Sequence, residues 1–524
     1  MSRKIITIIA IVVIVFGGGL AAILINNAAR AFTPVAHSIT SEQRFSVTGN
    51  GGNAVSIGNY LFFIGNYVPS HTIRYRQNEH NNVSYGAIYR VTLGPDGFPT
   101  YDNTWLTNET DLGSPELNAE YHEGRWNTRV ANKRLIVPKI AGHERSAMWI
   151  FGNHIIYTSP HNRMNRQGNM QTDRLDFFRV NLNGSDHRLL YTSSSTTLTR
   201  DDSTVAWVNG RSYLLVNDNN RLVRVNVSNS PGDTTTIARD VTSFAFPTVT
   251  NYFQTNPDNP QLKGFGGAMN FVYWTENRTA NDNRVTRGNI MRRFDISNGT
   301  RTTIGEDVGV NYRVVSISGG NFIFTRQDLD LDPNPSLFIA DRVFTAGEHI
   351  SFLATDLLQS SEVVFASTET SGALFRFITL YNGGIHLYTR PNAYSQFTVR
   401  NTPLVENNVE EILLVTANNI YYRRGSEVRV IDFHGNVADE DRSFGTASER
   451  IDEINISFFQ SRPYRGSNDF QAREFFFFMT TLTENFDDDA GEDETRTRET
   501  ISVPAIVDRS GNTWILAVID ERFL

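Results

Sequence analysis

Carboxylates two residues apart on an extended loop present their oxygens to one side. The segment Asp328-Leu329-Asp330-Leu331-Asp332-Pro333-Asn334 has that spacing. Hard oxygen ligands of this kind suit calcium, so Asp328, Asp330 and Asp332 are the candidate metal ligands. The loop is not an EF-hand: Pro333 stands sixth, where Gly is needed, and Ile339 twelfth, where Glu is needed. A solvated acidic loop fits the same residues.

The second acidic run is denser. Asp487-Asp488-Asp489 with Glu492, Asp493 and Glu494 concentrates like charges that repel one another. It reads as a solvated loop between apolar runs at 475–482 and 501–507. The 11 histidines are scattered. His122-Glu123 and His143-Glu144 lack the second His of an H-E-x-x-H site. Neither a G-x-S-x-G elbow nor a G-x-x-x-x-G-K-[ST] loop occurs. Asp508-Arg509-Ser510-Gly511-Asn512-Thr513-Trp514 is one residue too long between Asp and Gly for a sialidase Asp box, and reads as a hairpin turn. Paired carboxylates for glycoside hydrolysis remain open, because 56 acidic residues offer no way to choose a pair. No catalytic residue is assigned.

Composition narrows the classes further. A formal net charge of −8 argues against a nucleic-acid surface, which needs a basic face. Of the 48 basic residues only Lys4, Lys133, Lys139 and Lys263 are lysines. The chain has no cysteine, which excludes disulfides, thiolate metal sites and a cysteine nucleophile. No cofactor is implied beyond the calcium possibility.

Residues 1–4 are basic, and 5–25 run apolar with only Thr7 polar. At 1.5 Å per residue such a helix spans about 31 Å, the thickness of a bilayer's hydrocarbon core. The expectation is a signal anchor at 5–25, with a cytoplasmic stub at 1–4 set by Arg3 and Lys4. A stalk at 26–49 and an extracellular domain at 50–524 follow. Gly17-Gly18-Gly19 and an A-x-A pattern at Ala29-Arg30-Ala31 keep a cleaved signal open. Both readings export the rest of the chain.

Beyond residue 50 a unit recurs at roughly 40–60 residues, the spacing of propeller blades. An apolar run such as Tyr60-Leu61-Phe62-Phe63-Ile64, Ser212-Tyr213-Leu214-Leu215-Val216 or Val363-Val364-Phe365 comes first. An alternating run then leads into a Gly or Asn turn. Examples are Ile88-Tyr89-Arg90-Val91-Thr92-Leu93 and Leu222-Val223-Arg224-Val225-Asn226-Val227. Period-two alternation marks strands. The expected architecture is all-β, a single propeller of seven or eight four-stranded blades, with the continuous apolar runs as strands buried on both faces near the centre. Units at 100–145 and 330–360 are weakly marked.

Tyr273-Trp274-Thr275-Glu276, followed by the segment 289–299, resembles a YWTD repeat, the propeller repeat of low-density-lipoprotein-receptor-like proteins. Segment 176–184 looks like the second half of such a repeat, and bacterial surface propellers of unknown function look alike. Glu276 stands where the family has Asp, and the tetrapeptide occurs once. The resemblance implies a propeller and, by analogy, a binding role.

The sequence therefore reads as a membrane-anchored extracellular binding module for a protein, peptide or glycan, with no nucleic-acid partner. The alternative is an exported glycan hydrolase or lyase with carboxylates clustered at the propeller axis.

Overall fold

The computed structural model describes residues 46–66, 85–94, 97, 126–127, 134–141, 147–161, 174–199, 201–209, 211–228, 233–247, 251–254, 262–263, 270–278, 287–318, 321–331, 336–340, 350–354, 362–365, 376–389, 398–400, 402–415, 419–425, 427–433, 457–461, 473–483, 500–508 and 513–516. The regular elements among them are strands, which form eight sheets.

Sheet 1 contains Ala54–Ile57, Tyr60–Asn66, Tyr85–Thr92 and Arg134–Ala141, extended on one side by Ser46–Thr48, Asn251–Gln254 and Leu262–Lys263. Sheet 2 contains Met148–Phe151, His154–Pro160, Leu175–Asn181 and Arg188–Thr192. Sheet 3 is Ser203–Val208, Arg211–Asn217, Leu222–Asn226 and Thr234–Ala238. Sheet 4 is Val241–Ala245, Phe271–Asn277, Asn289–Asp295 and Arg301–Gly305. Sheet 5 is Val310–Ser318, Asn321–Asp328, Ser336–Ala340 and Ile350–Ala354. Sheet 6 runs Glu362–Phe365, Arg376–Tyr381, Gly384–Thr389 and Thr398–Val399, and sheet 7 runs Glu411–Val415, Asn419–Arg424 and Glu427–Asp432. Sheet 8 holds Ser457–Ser461, Arg473–Thr483, Thr500–Asp508 and Thr513–Ile515, with Trp126–Asn127 laid parallel along its outer strand.

The sheets follow one another around a ring. The first strands of sheets 1 and 2, 2 and 3, 4 and 5, 5 and 6, and 6 and 7 lie side by side, as do those of sheets 8 and 1. One hydrophobic core joins sheets 3 and 4. Tyr421 of sheet 7 meets Phe476 of sheet 8 edge-on. The fold is a β-propeller.

The packing explains the continuous apolar runs. In Arg211–Asn217 every residue from Ser212 to Val216 is buried. Leu214 and Val216 enter the core shared with sheet 2. Tyr213 and Leu215 point the other way, into the core shared with sheet 4. The next sheet repeats this: Val272 and Trp274 face sheet 3, while Tyr273 stacks on Phe322 of sheet 5 at 3.8 Å. A strand with a neighbour on each face needs apolar residues at every position, each worth about 2 kcal/mol when fully buried.

Several expectations are corrected. The expected seven or eight uniform four-stranded blades do not form; the regular blades number six. Five sheets have four strands; the others have seven, three and five. Six sheets are simple antiparallel meanders, while the first and last are composites that borrow strands from distant parts of the chain. The continuous apolar runs, expected as strands buried on both faces near the centre, are mostly second strands, the ones sandwiched most completely between neighbouring sheets. Val363-Val364-Phe365 is instead part of a first strand. The weakly marked stretches hold Trp126–Asn127, Arg134–Ala141, Ser336–Ala340 and Ile350–Ala354. Ser46–Thr48, inside the segment read as stalk, is already a paired strand. Residues 5–25 lie outside the described residues, among which no helix is long and apolar enough to cross a membrane.

Candidate binding face

Among the described residues, second strands end and third strands begin at one end of the sheets, the end from which the four-stranded sheets also lead into the next sheet. We term this the upper face. First-to-second turns such as Gly58-Asn59 emerge at the lower face. Of the two acidic runs singled out in the sequence, Asp328 and Asp330 lie where the second strand of sheet 5 leads into its third, at the upper face. The run from Asp487 to Glu494 and Asp332 itself lie outside the described residues.

The most ordered part of this face is the seam between sheets 2 and 3. Asp218 closes the second strand of sheet 3. Asn219 and Asn220 follow with φ of 57° each, a mirror-image two-residue turn that Asn tolerates. That turn aims the Asp218 carboxylate at sheet 2. It accepts from Tyr191 Oη at 2.5 Å, from the Ser194 N–H at 2.9 Å, from the Ser195 N–H at 2.7 Å and from Arg221 Nη2 at 3.0 Å. The Asp218 side chain is 0% exposed. Burial pushes its carboxyl up, but the bonds from Tyr191, Ser194 and Ser195 outweigh it and hold the pKa below the ordinary value. Burial and the Asp218 bond together push the Tyr191 phenol up. Beside this clamp, Asp202 accepts from Thr199 N–H and Oγ1 at 2.9 and 2.8 Å and from Asn217 Nδ2 at 2.9 Å.

A second buried pair lies at the same end of sheet 2. His161 Nδ1 sits 2.9 and 3.1 Å from the Asp176 oxygens, and Thr192 Oγ1 donates to Asp176 at 2.6 Å. The His161 Nε2 has no partner among the described residues. Asp176 thus orients an imidazole.

At the seam between sheets 4 and 5 the polar groups are exposed. Asp307 accepts from Tyr312 Oη at 2.6 Å and lies 3.5 Å from Arg326 Nη2. Burial, then the Asp307 bond and charge, push the Tyr312 phenol to about 12. Asn289 pins the Tyr312 backbone with two 2.7 Å bonds. Gly288, at φ +97°, permits this closeness, because a Cβ there would overlap the Val310 carbonyl oxygen. Val308 and Leu331 project beside it, 73% and 81% exposed.

The calcium candidates sit here. Asp328 Oδ1 accepts its own loop's Asp330 N–H at 3.0 Å, and Asp330 Oδ1 pairs with Arg287 Nη1 at 2.6 Å. One carboxylate thus holds the turn, and the other already faces a guanidinium. No group of three His, Cys, Asp or Glu suited to a metal occurs among the described residues. Asp508 lies in the third strand of sheet 8, buried. In the YWTD-like segment, Glu276 accepts from Trp274 Nε1 at 3.0 Å and Arg292 Nε at 2.6 Å, a bond set internal to sheet 4.

Among the described residues, the first strands offer little acid–base chemistry to the ring axis. The first strands supply mainly Val, Ile, Phe, Ser and Thr, with Glu362 and Glu411 their only carboxylates. Sheet 1 also extends inward. Ser46–Thr48 pairs on the inner side of Ala54–Ile57, and the hairpin Asn251–Gln254/Leu262–Lys263 pairs on from there. At about 4.8 Å per strand these three strands reach roughly 14 Å toward the axis. The hairpin comes from the first-to-second connection of sheet 4, so it bridges the ring. Sequence reasoning missed both the hairpin and the Asp218 clamp. The Asn219-Asn220 pair ahead of Leu222–Asn226 was the one local signal for the clamp.

No protein-family model matches the chain, and no curated protein matches its sequence. Solved structures do align with it. The β-propeller domain of the trilobed protease from Pyrococcus furiosus is 10% identical, with a TM-score of 0.37 over 77% of this chain and 99% of that one. Prolyl oligopeptidase B from Galerina marginata is 9% identical, with a TM-score of 0.36 over 71% of this chain and 50% of that one. Acylaminoacyl peptidase from Pyrococcus horikoshii is 9% identical, with a TM-score of 0.34 over 86% of this chain and 60% of that one. The chain thus spans about half the length of the oligopeptidase it aligns with.

Proposed function

We propose that the chain is an extracellular binding module, held at the cell surface by the apolar segment 5–25, whose upper face receives a protein, peptide or glycan. The observation that carries this reading is the Asp218 clamp. It fixes a connection of one sheet against a turn of the next with five hydrogen bonds, and the acid is consumed in the process. Such a seam sets the position of neighbouring loops before a ligand arrives, which lowers the ordering cost of binding. The carboxylates described on this face, Asp176, Asp202, Asp218, Asp307, Asp328 and Asp330, are engaged with neighbouring side chains or backbone, and the described first strands bring two carboxylates to the ring. Both facts favour recognition over hydrolysis.

The test uses the full chain in lipid nanodiscs, presented to glycan arrays and to extracts of surface proteins. Saturable binding that weakens in an Asp218→Ala variant is the expected result. Absence of saturable binding overturns the reading. Release of new reducing ends from any arrayed glycan replaces it with the hydrolase alternative.

A further inference from the structure

The inner strand Ser46–Thr48 decides where the rest of the chain leaves the ring. Its register with the first strand of sheet 1 is Val47 opposite Ile57 and Thr48 opposite Ser56. Ile57 precedes the lower-face turn Gly58-Asn59, so Ser46 lies level with that turn. The chain before Ser46 therefore departs at the lower face, from inside the ring. This exit is held firmly. Val47 is 0% and Thr48 1% exposed. The following turn is stitched to sheet 2: Ile150 N–H donates to Asn50 Oδ1 at 2.7 Å, Gly51 N–H to Met148 O at 2.8 Å and Met148 N–H to Gly52 O at 2.9 Å. On the axial side the backbone of Asn251–Gln254 pairs with Ser46, Val47 and Thr48.

We infer that the ring stands on its lower face, tethered near its axis to the bilayer, so that the upper face is the surface turned outward to a ligand. This rests on the anchor reading of the previous subsection and adds to it which face is presented. Covalent reach supports it. Residues 26–45, about 20 in number, span about 70 Å only when fully extended. Four strands at about 4.8 Å around a central opening give a ring radius of about 25 Å, and strand length adds about 20–30 Å of height. To invert the ring, the tether would have to run from the axis to the rim and then up the wall, using most of its extended length. The upright arrangement needs almost none of it.

The absence of cysteine makes the test direct. Leu331→Cys on the upper face and Ser228→Cys on the lower face, both at exposed positions, are each labelled with one fluorophore. The full chain is then reconstituted in vesicles whose headgroups carry an energy acceptor. After a salt and carbonate wash, transfer to the acceptor is expected to be several-fold greater from position 228 than from position 331. Retained protein with equal or reversed transfer overturns the orientation alone. Protein lost in the wash overturns the anchor reading and the orientation with it. Val399→Cys on the outer wall serves as reference, with intermediate transfer expected; a value outside the range of the other two also overturns the upright ring.

Discussion

The upper face carries the same trio twice, with opposite consequences. At the seam of sheets 2 and 3, Asp218 takes a phenol from Tyr191 and a guanidinium from Arg221. At the seam of sheets 4 and 5, Asp307 takes a phenol from Tyr312 and faces the guanidinium of Arg326. The first acid is fully covered and receives two backbone N–H groups as well; the second is 63% exposed. Composition is therefore a poor guide to what a polar cluster contributes. A covered carboxylate that loses its partners leaves donors stranded away from water, whereas an exposed one exchanges them for solvent.

The largest expected effect breaks the covered trio. Asp218→Ala should destabilise the protein by about 3 kcal/mol, since it strands two N–H groups and a partly covered guanidinium. Urea unfolding followed by tryptophan fluorescence measures this. Asp307→Ala should cost less than about 1 kcal/mol in the same experiment. Equal costs would dissolve the distinction between the seams.

A smaller effect comes from the phenols. Tyr191→Phe should cost about 1.5–2 kcal/mol, the range for a hydrogen bond to a covered charge. Tyr312→Phe should cost about 0.5–1 kcal/mol, because water replaces the donor at an exposed acid.

Acid sharpens the comparison further. The folded pKa of Asp218 lies below its ordinary value of 3.8. Its contribution to stability is therefore complete above that value and is lost as pH falls through the depressed folded pKa. Asp218→Asn should flatten the acid limb of the stability curve, measured by urea midpoints from neutral pH down to about pH 2. The smallest effect belongs to the exposed cation: Arg326→Ala should shift stability by no more than about 0.5 kcal/mol, and that shift should shrink in high salt.

The repeating strands were legible because their signal is local. Leu222-Val223-Arg224-Val225-Asn226 alternates as a third strand flanked on one side by a fourth, and Ser212-Tyr213-Leu214-Leu215-Val216 is apolar throughout because it has a sheet on each face. What such runs do not encode is which strand of a sheet each forms: most are second strands, while Val363-Val364-Phe365 is part of a first. The Asp218 clamp was illegible because its partners, Tyr191, Ser194 and Ser195, belong to the preceding sheet, and an Asp ahead of two Asn reads only as a turn. The hairpin at Asn251–Gln254 was illegible for a stronger reason. Its partner strand begins at Ser46, and nothing in either short segment specifies the other. The acidic repeat at Asp328 and Asp330 was legible as a loop, but the approach of Arg287 to Asp330 depends on two sheets meeting.

The two-residue strand Trp126–Asn127, laid along Thr513 and Trp514, sets the order in which the molecule can be completed. The six meanders assemble from neighbouring hairpins and can form as synthesis proceeds. The final latch joins the first sheet's long third-to-fourth connection to Thr513 and Trp514, so the circle shuts only after synthesis has passed residue 514. Contacts this distant in the chain are slow to form. Until they do, the outer edge of Thr513–Ile515 is an open template that another molecule can occupy.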